Sequence, residues 1–175
     1  SFNSKYDKLL EASKDATNTG IKEAGIGVRL GELGGLIQET MESYEIELDG
    51  KIYPIKSVRN LGGHSIEPFK IHAGKYVPLI KTNDMTKMEE GEVFAIETFA
   101  TTGNGVVIEK EPTSHFMKDF NQNYVNLKYK SYKNLLNHIN NKFDTLPFCD
   151  KSLYQDSKNF NHKLALEKLC DIGII

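Results

Sequence analysis

Apolar residues at helical spacing begin the chain and predict two helices. The first covers residues 6–24, and these apolar side chains are available for burial: Leu9, Leu10, Ala12, Ala16 and Ile21. After a glycine-rich link over residues 25–28, a second amphipathic stripe follows: Leu33, Leu36, Ile37, Thr40, Met41 and Tyr44. Gly34 and Gly35 lie inside this stripe and each costs about 1 kcal/mol relative to alanine, which leaves the start of the second helix open.

Alternation of apolar and acidic residues over 44–48 changes the expectation from helix to strand. Asp49 and Gly50 follow, and apolar residues resume over 51–53, so the stretch predicts a β-hairpin. Pro54 cannot donate to a strand ladder, which puts the returning strand at a sheet edge. From residue 61 to residue 108, short apolar runs between turns predict further strands.

Helical spacing returns after Pro112, where asparagine and lysine become frequent and glycine nearly vanishes. Two amphipathic stripes predict two helices: Tyr132, Leu135, Leu136, Ile139 and Phe143 in one, and Leu164, Ala165, Leu169 and Ile172 in the other. We place a boundary near residues 112–115 and predict an α+β body followed by a helical lobe.

Composition narrows the class of protein. The 175 residues carry a net charge of −2, which argues against a generic polyanion binder. Two cysteines are too few for a disulfide framework and favour a reducing compartment. No apolar run approaches the roughly 18 residues of a membrane helix, and residues 1–5 carry no targeting signal. These features predict an intracellular domain without a membrane segment.

Glu97 is the position with the most chemical information. A strand over residues 92–100 surrounds it with apolar side chains on both faces, with Val93, Ala95 and Phe99 on its own face. We therefore expect a buried carboxylate, which needs a cation, a hydrogen-bond network or a raised pKa. Two interpretations stay open: a structural ion pair with a lysine or arginine, and a metal ligand or general base.

Two histidines lie beside glycines at the ends of short strand-like runs: His64 follows Gly62 and Gly63, and His72 precedes Gly74. Both can point into one pocket, and histidine is a common ligand of divalent transition metals. Their spacing matches no zinc signature, so a surface or hydrogen-bonded role stays open for each.

The remaining histidines and the cysteines carry weaker signals. His115 lies at the predicted domain boundary, where pockets often form. His138 and His162 fall on polar helix faces, and we expect both to be solvated. Cys149 and Cys170 lack a CxxC partner and are expected to be structural thiols.

Short stretches along the whole chain match one known family in the same order: residues 14–20, 41–45, 59–61, 63–66, 71–75, 88–93, 95–99 and 169–174. They resemble the type 2 methionine aminopeptidases of the pita-bread metalloprotease family. The sequences Gly-His-Ser-Ile and Ile-His-Ala-Gly, together with the helical stretch after Pro112, favour type 2 over type 1.

The resemblance implies an α+β fold class: half of a pita-bread (creatinase/aminopeptidase) fold with an inserted helical, winged-helix-like lobe. Residues 1–113 would form the C-terminal half of the catalytic domain. Residues 114–175 would form the insertion lobe, which we expect to be truncated.

The resemblance also implies roles for site residues. His64 resembles the family's metal-binding histidine, and Glu97 the glutamate that ligates metal and acts as general base. His72 resembles the histidine that contacts the substrate and supports the tetrahedral intermediate. Four residues match the pocket for the N-terminal methionine side chain: Ile71, Phe99, His115 and Met117. Pro147 stands where relatives carry a small alanine, so we expect that pocket wall to differ.

The implied function is removal of the N-terminal methionine from nascent polypeptides with a small second residue. Attack by a hydroxide that bridges two divalent metal ions (cobalt, manganese, iron or zinc) is the implied chemistry. Nascent peptide N-termini are the implied substrates, the ribosome or a translation initiation factor are further partners, and the location is cytoplasmic. Only His64 and Glu97 of the family's five metal ligands occur here, so we expect this chain alone to be inactive.

Two alternatives remain beside this enzyme. A pita-bread binding module that has lost catalysis is one, and the retained His64, His72 and Glu97 argue against it. A prolidase-like enzyme of the same fold is the other, and the helical lobe argues against that.

Overall fold

The structure is a computed structural model that describes residues 2–110, 112–119, 126–154 and 162–175. Two units are distinguished: Ser1–Glu67 with His72–Glu109, and Pro68–Ile71 with Lys110–Ile175. The sequence pattern did not indicate that Pro68–Ile71 belongs with the second unit. Residues 120–125 and 155–161 of the predicted lobe lie outside the described residues, and the domain limits at 113 and 114 stay a prediction.

Both helices and strands occur in each unit. The helices are α1 (Asp7–Glu23), α2 (Leu30–Glu42), α3 (Lys130–Lys142), α4 (Asp150–Tyr154) and α5 (His162–Asp171), and a 3-10 turn at Ser4–Tyr6 precedes α1. The strands are β1 (Glu45–Leu48), β2 (Lys51–Pro54), β3 (Lys56–Ser57), β4 (Gly63–Ile66), β5 (Tyr76–Val77), β6 (Val93–Ala95), β7 (Ala100–Thr101), β8 (His115–Phe116) and β9 (Phe148–Cys149). Among the described residues, no helix has the length and apolar character needed to cross a bilayer.

Helix α1 faces the core of the first unit through small residues. Ala12, Ala16 and Gly20 are its buried positions. A Cβ atom on Gly20 would meet side-chain atoms of Ile96 and Ile37, so the absence of a side chain lets α1 lie close to both. The prediction that Leu10 and Ile21 are available for burial is wrong, since they are 50% and 59% exposed.

Helix α2 confirms most of the predicted stripe, because Leu33, Ile37 and Met41 are fully buried. Leu36 is 39% exposed and Tyr44 follows the helix, so those two assignments are wrong. Close packing explains a glycine within α2. A Cβ atom on Gly34 would collide with backbone and side chain of the segment Pro78–Ile80, so glycine allows α2 to approach that segment closely.

The predicted hairpin is confirmed. Strands β1 and β2 pair antiparallel with Leu48 opposite Lys51. Asp49 and Gly50 both have positive φ, 51° and 79°, as a type I′ turn requires. Pro54 ends β2 in a sheet of two strands, so the prediction of an edge position is also confirmed.

The strand predicted over residues 92–100 is shorter in the structure, so that prediction is wrong in its bounds. Strand β6 ends at Ala95, residues 96–99 form no ladder, and β7 then pairs with β3. Strand β6 belongs to a three-stranded antiparallel sheet in the order β5-β4-β6. The central strand β4 therefore has neighbours on both edges.

The second unit has its own core, to which α3 and α5 both contribute. Its buried apolar residues are Leu127, Leu135, Ile139, Phe148, Leu153, Ala165, Leu166, Leu169 and Ile174. The two predicted stripes are confirmed at their centres, whereas Leu164 and Ile172 are 55% and 41% exposed. His162 is also not solvated: it is 2% exposed, with Nε2 2.9 Å from Asp150 Oδ1.

Candidate metal centre and active site

Strand β4 holds His64 in the middle of the three-stranded sheet. His64 lies opposite Tyr76 of β5 and opposite Ala95 of β6. The preceding Gly63 has no room for a side chain, because the carbonyl of Ala95 occupies the position of a Cβ atom. The close strand spacing therefore depends on glycine at residue 63 and fixes His64 relative to the end of β6.

Glu97 follows Ala95 by two residues and reaches the same face of the sheet as His64. Glu97 Oε1 lies 3.3 Å from His64 Nε2. The side chain of His64 is 12% exposed and that of Glu97 is 44% exposed, so the expectation of a buried Glu97 is wrong. Strand β6 ends at Ala95, two residues before Glu97, and no other strand in the described part of the chain pairs with residues 96–99, which explains the exposure.

The ion-pair interpretation of Glu97 needs a lysine or arginine partner. Within the described parts of the chain, no such side chain pairs with Glu97, and its ionisable neighbour is His64. The carboxylate and the imidazole therefore face one another in the way that two ligands of one cation would.

The hydrogen bonding of His64 orients its second nitrogen. His64 Nδ1 lies 3.2 Å from the carbonyl oxygen of Ser65. A carbonyl only accepts, so Nδ1 is the donor in this contact, and Nε2 is the nitrogen that faces Glu97. Metal-binding histidines commonly use the second nitrogen in this way. The donor pair fits a divalent cation, although the described residues contain no group of three or more His, Cys, Asp or Glu side chains that could hold one.

His72 stands next to His64 because its chain segment folds back onto β4. Ala73 N–H donates to the carbonyl of Ser65 at 2.9 Å, and Lys75 N–H donates to Ser65 Oγ at 3.0 Å. The His72 ring lies edge-on to the His64 ring, with centroids 4.2 Å apart and planes at 85°. His72 is exposed, so its ring is accessible from solvent.

Lys75 joins this segment to the turn before β6, a contact that the sequence reasoning missed. Its Nζ lies 2.6 Å from Glu92 Oε1 and 3.3 Å from Glu89 Oε2, and it donates to the carbonyl of Lys87 at 2.8 Å. The hydrogen bond with Glu92 raises the pKa of Lys75, and the same contact lowers the pKa of Glu92. Both groups stay charged near neutral pH and hold the two turns together.

The four residues predicted to line a methionine pocket are divided between the two units. Phe99 belongs to the first unit, where it is half-buried against the core. Ile71, His115 and Met117 belong to the second unit, with His115 exposed and the other two half-buried. Pro147 is exposed just before β9, the strand that pairs with β8. The pocket roles stay predictions.

Comparison with known proteins gives one consistent result. A family model described as metallopeptidase family M24 matches residues 1–115. The chain is 55% identical over 174 residues to methionine aminopeptidase 2-1 of Fusarium vanettenii, and 56% identical over 174 residues to methionine aminopeptidase 2 of Dictyostelium discoideum. Each match covers 99% of this chain and 39% of the relative. The chain thus spans less than half the length of these relatives.

Solved structures match in the same way. A methionine aminopeptidase from Thermotoga maritima superposes with a TM-score of 0.51 at 25% identity, over 62% of this chain and 40% of that one. A thermophilic Arx1 superposes with a TM-score of 0.66 at 15% identity, over 95% of this chain and 47% of that one, and this likeness concerns the fold alone. The fold is α+β and of the pita-bread kind. With His64 on strand β4 and Glu97 beside it, the chain belongs to metallopeptidase family M24.

Proposed function

We propose that this chain is part of an enzyme that removes the N-terminal methionine from polypeptides, a methionyl aminopeptidase. The observation that supports the proposal most is the 3.3 Å contact between His64 Nε2 and Glu97 Oε1, with no lysine or arginine on the carboxylate among the described residues. A carboxylate and an imidazole in this arrangement are ordinary ligands of a catalytic metal ion.

His64 and Glu97 are the residues that would hold metal in this chain. Divalent ions such as cobalt, manganese, iron or zinc, two in number by family resemblance, would supply Lewis acidity and an activated water at neutral pH. His64 would contribute Nε2, the nitrogen left over from the contact of Nδ1 with the carbonyl of Ser65. Glu97 contributes a negative charge that offsets part of the cation's charge.

Glu97 and His72 would share the chemical work. Glu97 is open to solvent on one side, so its carboxylate can accept a proton from attacking water and return it to the leaving amine. His72 is accessible beside His64, where a ring N–H can donate to the oxygen that becomes negative in the transition state. The two side chains thus act on opposite parts of one peptide bond.

Specificity for methionine would come from the residues that resemble the family pocket, Ile71, Phe99, His115 and Met117. Apolar and thioether side chains suit an unbranched sulfur-containing substrate side chain. A small second residue in the substrate would be preferred, as the resemblance to the family implies. Pro147 would alter one wall of this pocket relative to the family.

The substrates would be nascent chains with free N-termini, and the site of action would be the cytoplasm. The ribosome and a translation initiation factor are further proposed partners. The 175-residue chain alone would bind divalent metal weakly and turn over little or no substrate, since it would supply two of five family ligands.

The proposal is tested by assaying methionine release from a Met-Ala-Ser peptide with the full-length protein. The wild type should release methionine, and Glu97→Gln should lower kcat by at least about 1,000-fold, because the amide can neither accept the proton nor offset metal charge. Glu45→Gln, at an exposed position of strand β1, should turn over like the wild type. Normal turnover by Glu97→Gln would contradict the assignment, and inactivity of the wild type would favour a non-catalytic binding module.

A further inference from the structure

Helix α1 contacts both neighbours of Glu97 in the chain. On one side, Gly20 leaves space that the side chain of Ile96 occupies. On the other side, the hydroxyl of Thr98 reaches Ser13 and Thr17. Glu97 lies between Ile96 and Thr98 in the chain, and its Oε1 is 3.3 Å from His64 Nε2.

The contacts of Thr98 form a small hydroxyl network. Thr98 Oγ1 donates to the carbonyl of Ser13 at 2.9 Å and lies 2.7 Å from Thr17 Oγ1 and 3.2 Å from Ser13 Oγ. Ser13 Oγ also donates to the carbonyl of Thr98 at 3.3 Å. Ser13 and Thr17 are four residues apart and therefore share one face of α1. All three side chains are half-buried, which strengthens their hydrogen bonds relative to exposed ones.

The hydroxyl network holds the segment that carries Glu97, where strand pairing has ended. Residues 96–99 pair with no strand that the structure describes, and the carbonyl of Phe99 accepts a hydrogen bond from Val58 N–H at 2.9 Å. Without a fixed backbone, Glu97 would have many orientations, and a metal ligand loses affinity when its orientation is not fixed. The hydroxyl contacts supply that fixation from the helix side.

We propose that Thr98, held by Ser13 and Thr17 of α1, is the positioning residue that orients Glu97 toward His64 for metal binding. The inference rests on the proposed function. It also gives a role to the sequence stretch 14–20, which the proposed chemistry does not use. The network contains hydroxyl and carbonyl groups alone, so its effect does not depend on a charge near the metal.

The test measures Mn²⁺ affinity of the metal-free, full-length protein by titration calorimetry. Thr98→Val keeps the shape and removes the hydroxyl, and it should weaken Mn²⁺ binding about 10-fold, the lower end of what outer contacts of metal ligands contribute. Thr98→Ser keeps the hydroxyl and should stay within about 2-fold of the wild type. Thr17→Val removes the shortest contact of Thr98 and should also weaken Mn²⁺ binding. It provides a second test of the inference if Thr98→Val folds poorly.

Two further variants distinguish a positioning effect of Thr98 on Glu97 from a general loss of protein stability. Thr40→Val removes another half-buried threonine hydroxyl, which lies 3.1 Å from the carbonyl oxygen of Leu36 and 3.1 Å from Thr19 Oγ1 of α1. It should leave Mn²⁺ affinity unchanged. In the Glu97→Gln background, Thr98→Val should have no further effect, because the ligand that it orients is gone. Equal weakening by Thr40→Val, or an undiminished effect in the Glu97→Gln background, would overturn the inference.

The same titrations distinguish this inference from the proposed function. If Glu97→Gln binds Mn²⁺ as the wild type does, Glu97 is not a ligand and the proposed function fails. If Glu97→Gln binds weakly but Thr98→Val binds normally, the proposed function stands and the positioning role of Thr98 is refuted.

Discussion

The carbonyl oxygen of Ala95 occupies the space that a Cβ atom on Gly63 would need. Ala95 lies opposite His64, the residue after Gly63, and Glu97 follows two residues later. A single glycine therefore sets how close the strand with the histidine lies to the chain that carries the carboxylate.

Gly63→Ala should destabilise the first unit and separate the two proposed ligands. The added methyl group must displace backbone, which is less adaptable than a flexible side chain, and overpacking of this kind costs about 1–3 kcal/mol. We expect the free energy of unfolding of the full-length protein to fall by about that amount in urea titrations.

Gly25→Ala is the matched control for Gly63→Ala. A Cβ atom on Gly25 would be 3.9 Å from the nearest side-chain atom, an ordinary contact. Its unfolding free energy should stay within about 0.5 kcal/mol of the wild type. Equal effects of the two substitutions would show that crowding at Gly63 does not limit stability.

His72→Ala should separate catalysis from metal binding. The described residues contain no group of three or more His, Cys, Asp or Glu side chains that could hold a metal, and we propose His72 as a donor to the substrate oxygen. Its removal should lower kcat about 100- to 1,000-fold, as loss of a transition-state donor does, with Mn²⁺ affinity within about 2-fold of the wild type.

His64→Ala provides the contrast, because it should weaken Mn²⁺ binding as well as turnover. His72→Asn keeps a side-chain N–H and should recover part of the lost kcat. A loss of Mn²⁺ affinity in His72→Ala as large as in His64→Ala would make His72 a ligand and contradict its assigned role.

Tyr44 should titrate at unusually high pH. Its hydroxyl donates to Asp15 Oδ2, and this hydrogen bond, followed by burial, raises the pKa of Tyr44 from 10.0 to about 12. Because the folded-state pKa is raised, the stabilising contribution is complete below pH 10.0 and is lost as the pH rises through about 12.

Tyrosinate absorbance measures this titration. Tyr44→Phe should remove one late-titrating phenol, and Asp15→Asn should move that phenol to lower pH, since the amide no longer favours the neutral, donating hydroxyl. Tyr53→Phe, on strand β2, should leave the step assigned to Tyr44 intact, because Tyr53 takes no part in the contact with Asp15. A wild-type protein without a late step would contradict the contact between Tyr44 and Asp15.

Local patterns in the sequence predicted the elements whose stability is local. The type I′ turn at Asp49 and Gly50 follows from residue types that tolerate positive φ, and the stripe of α2 follows from helical spacing. From the sequence alone, the glycines of α2 could only be judged destabilising to the helix. Their packing role was not predictable, because the backbone segment that Gly34 contacts, residues 78–80, comes much later in the chain.

The chemistry at Glu97 was predicted better than its environment. The alternating pattern correctly assigned Glu97 to different contacts from Ile96 and Thr98: Glu97 contacts His64, whereas Ile96 and Thr98 contact α1. The pattern of apolar neighbours predicted burial, but the strand ends at Ala95 and Glu97 is 44% exposed. Where a ladder ends depends on pairing with distant strands, and residue types within one segment do not determine it.

The contacts that hold the site together were the least predictable. Lys75 with Glu92 and Thr98 with Ser13 join residues far apart in sequence, and each member is an ordinary polar residue by itself. Such pairs become visible when topology brings two segments together.

The central claim is that His64 Nε2 and Glu97 Oε1 bind the same divalent cation. Anomalous diffraction at the zinc edge, from crystals of the full-length protein grown with Zn²⁺, tests it most directly. We expect a zinc peak about 2.0–2.2 Å from both atoms. A structure with no zinc between them, or with a lysine or arginine closed onto Glu97, would contradict it.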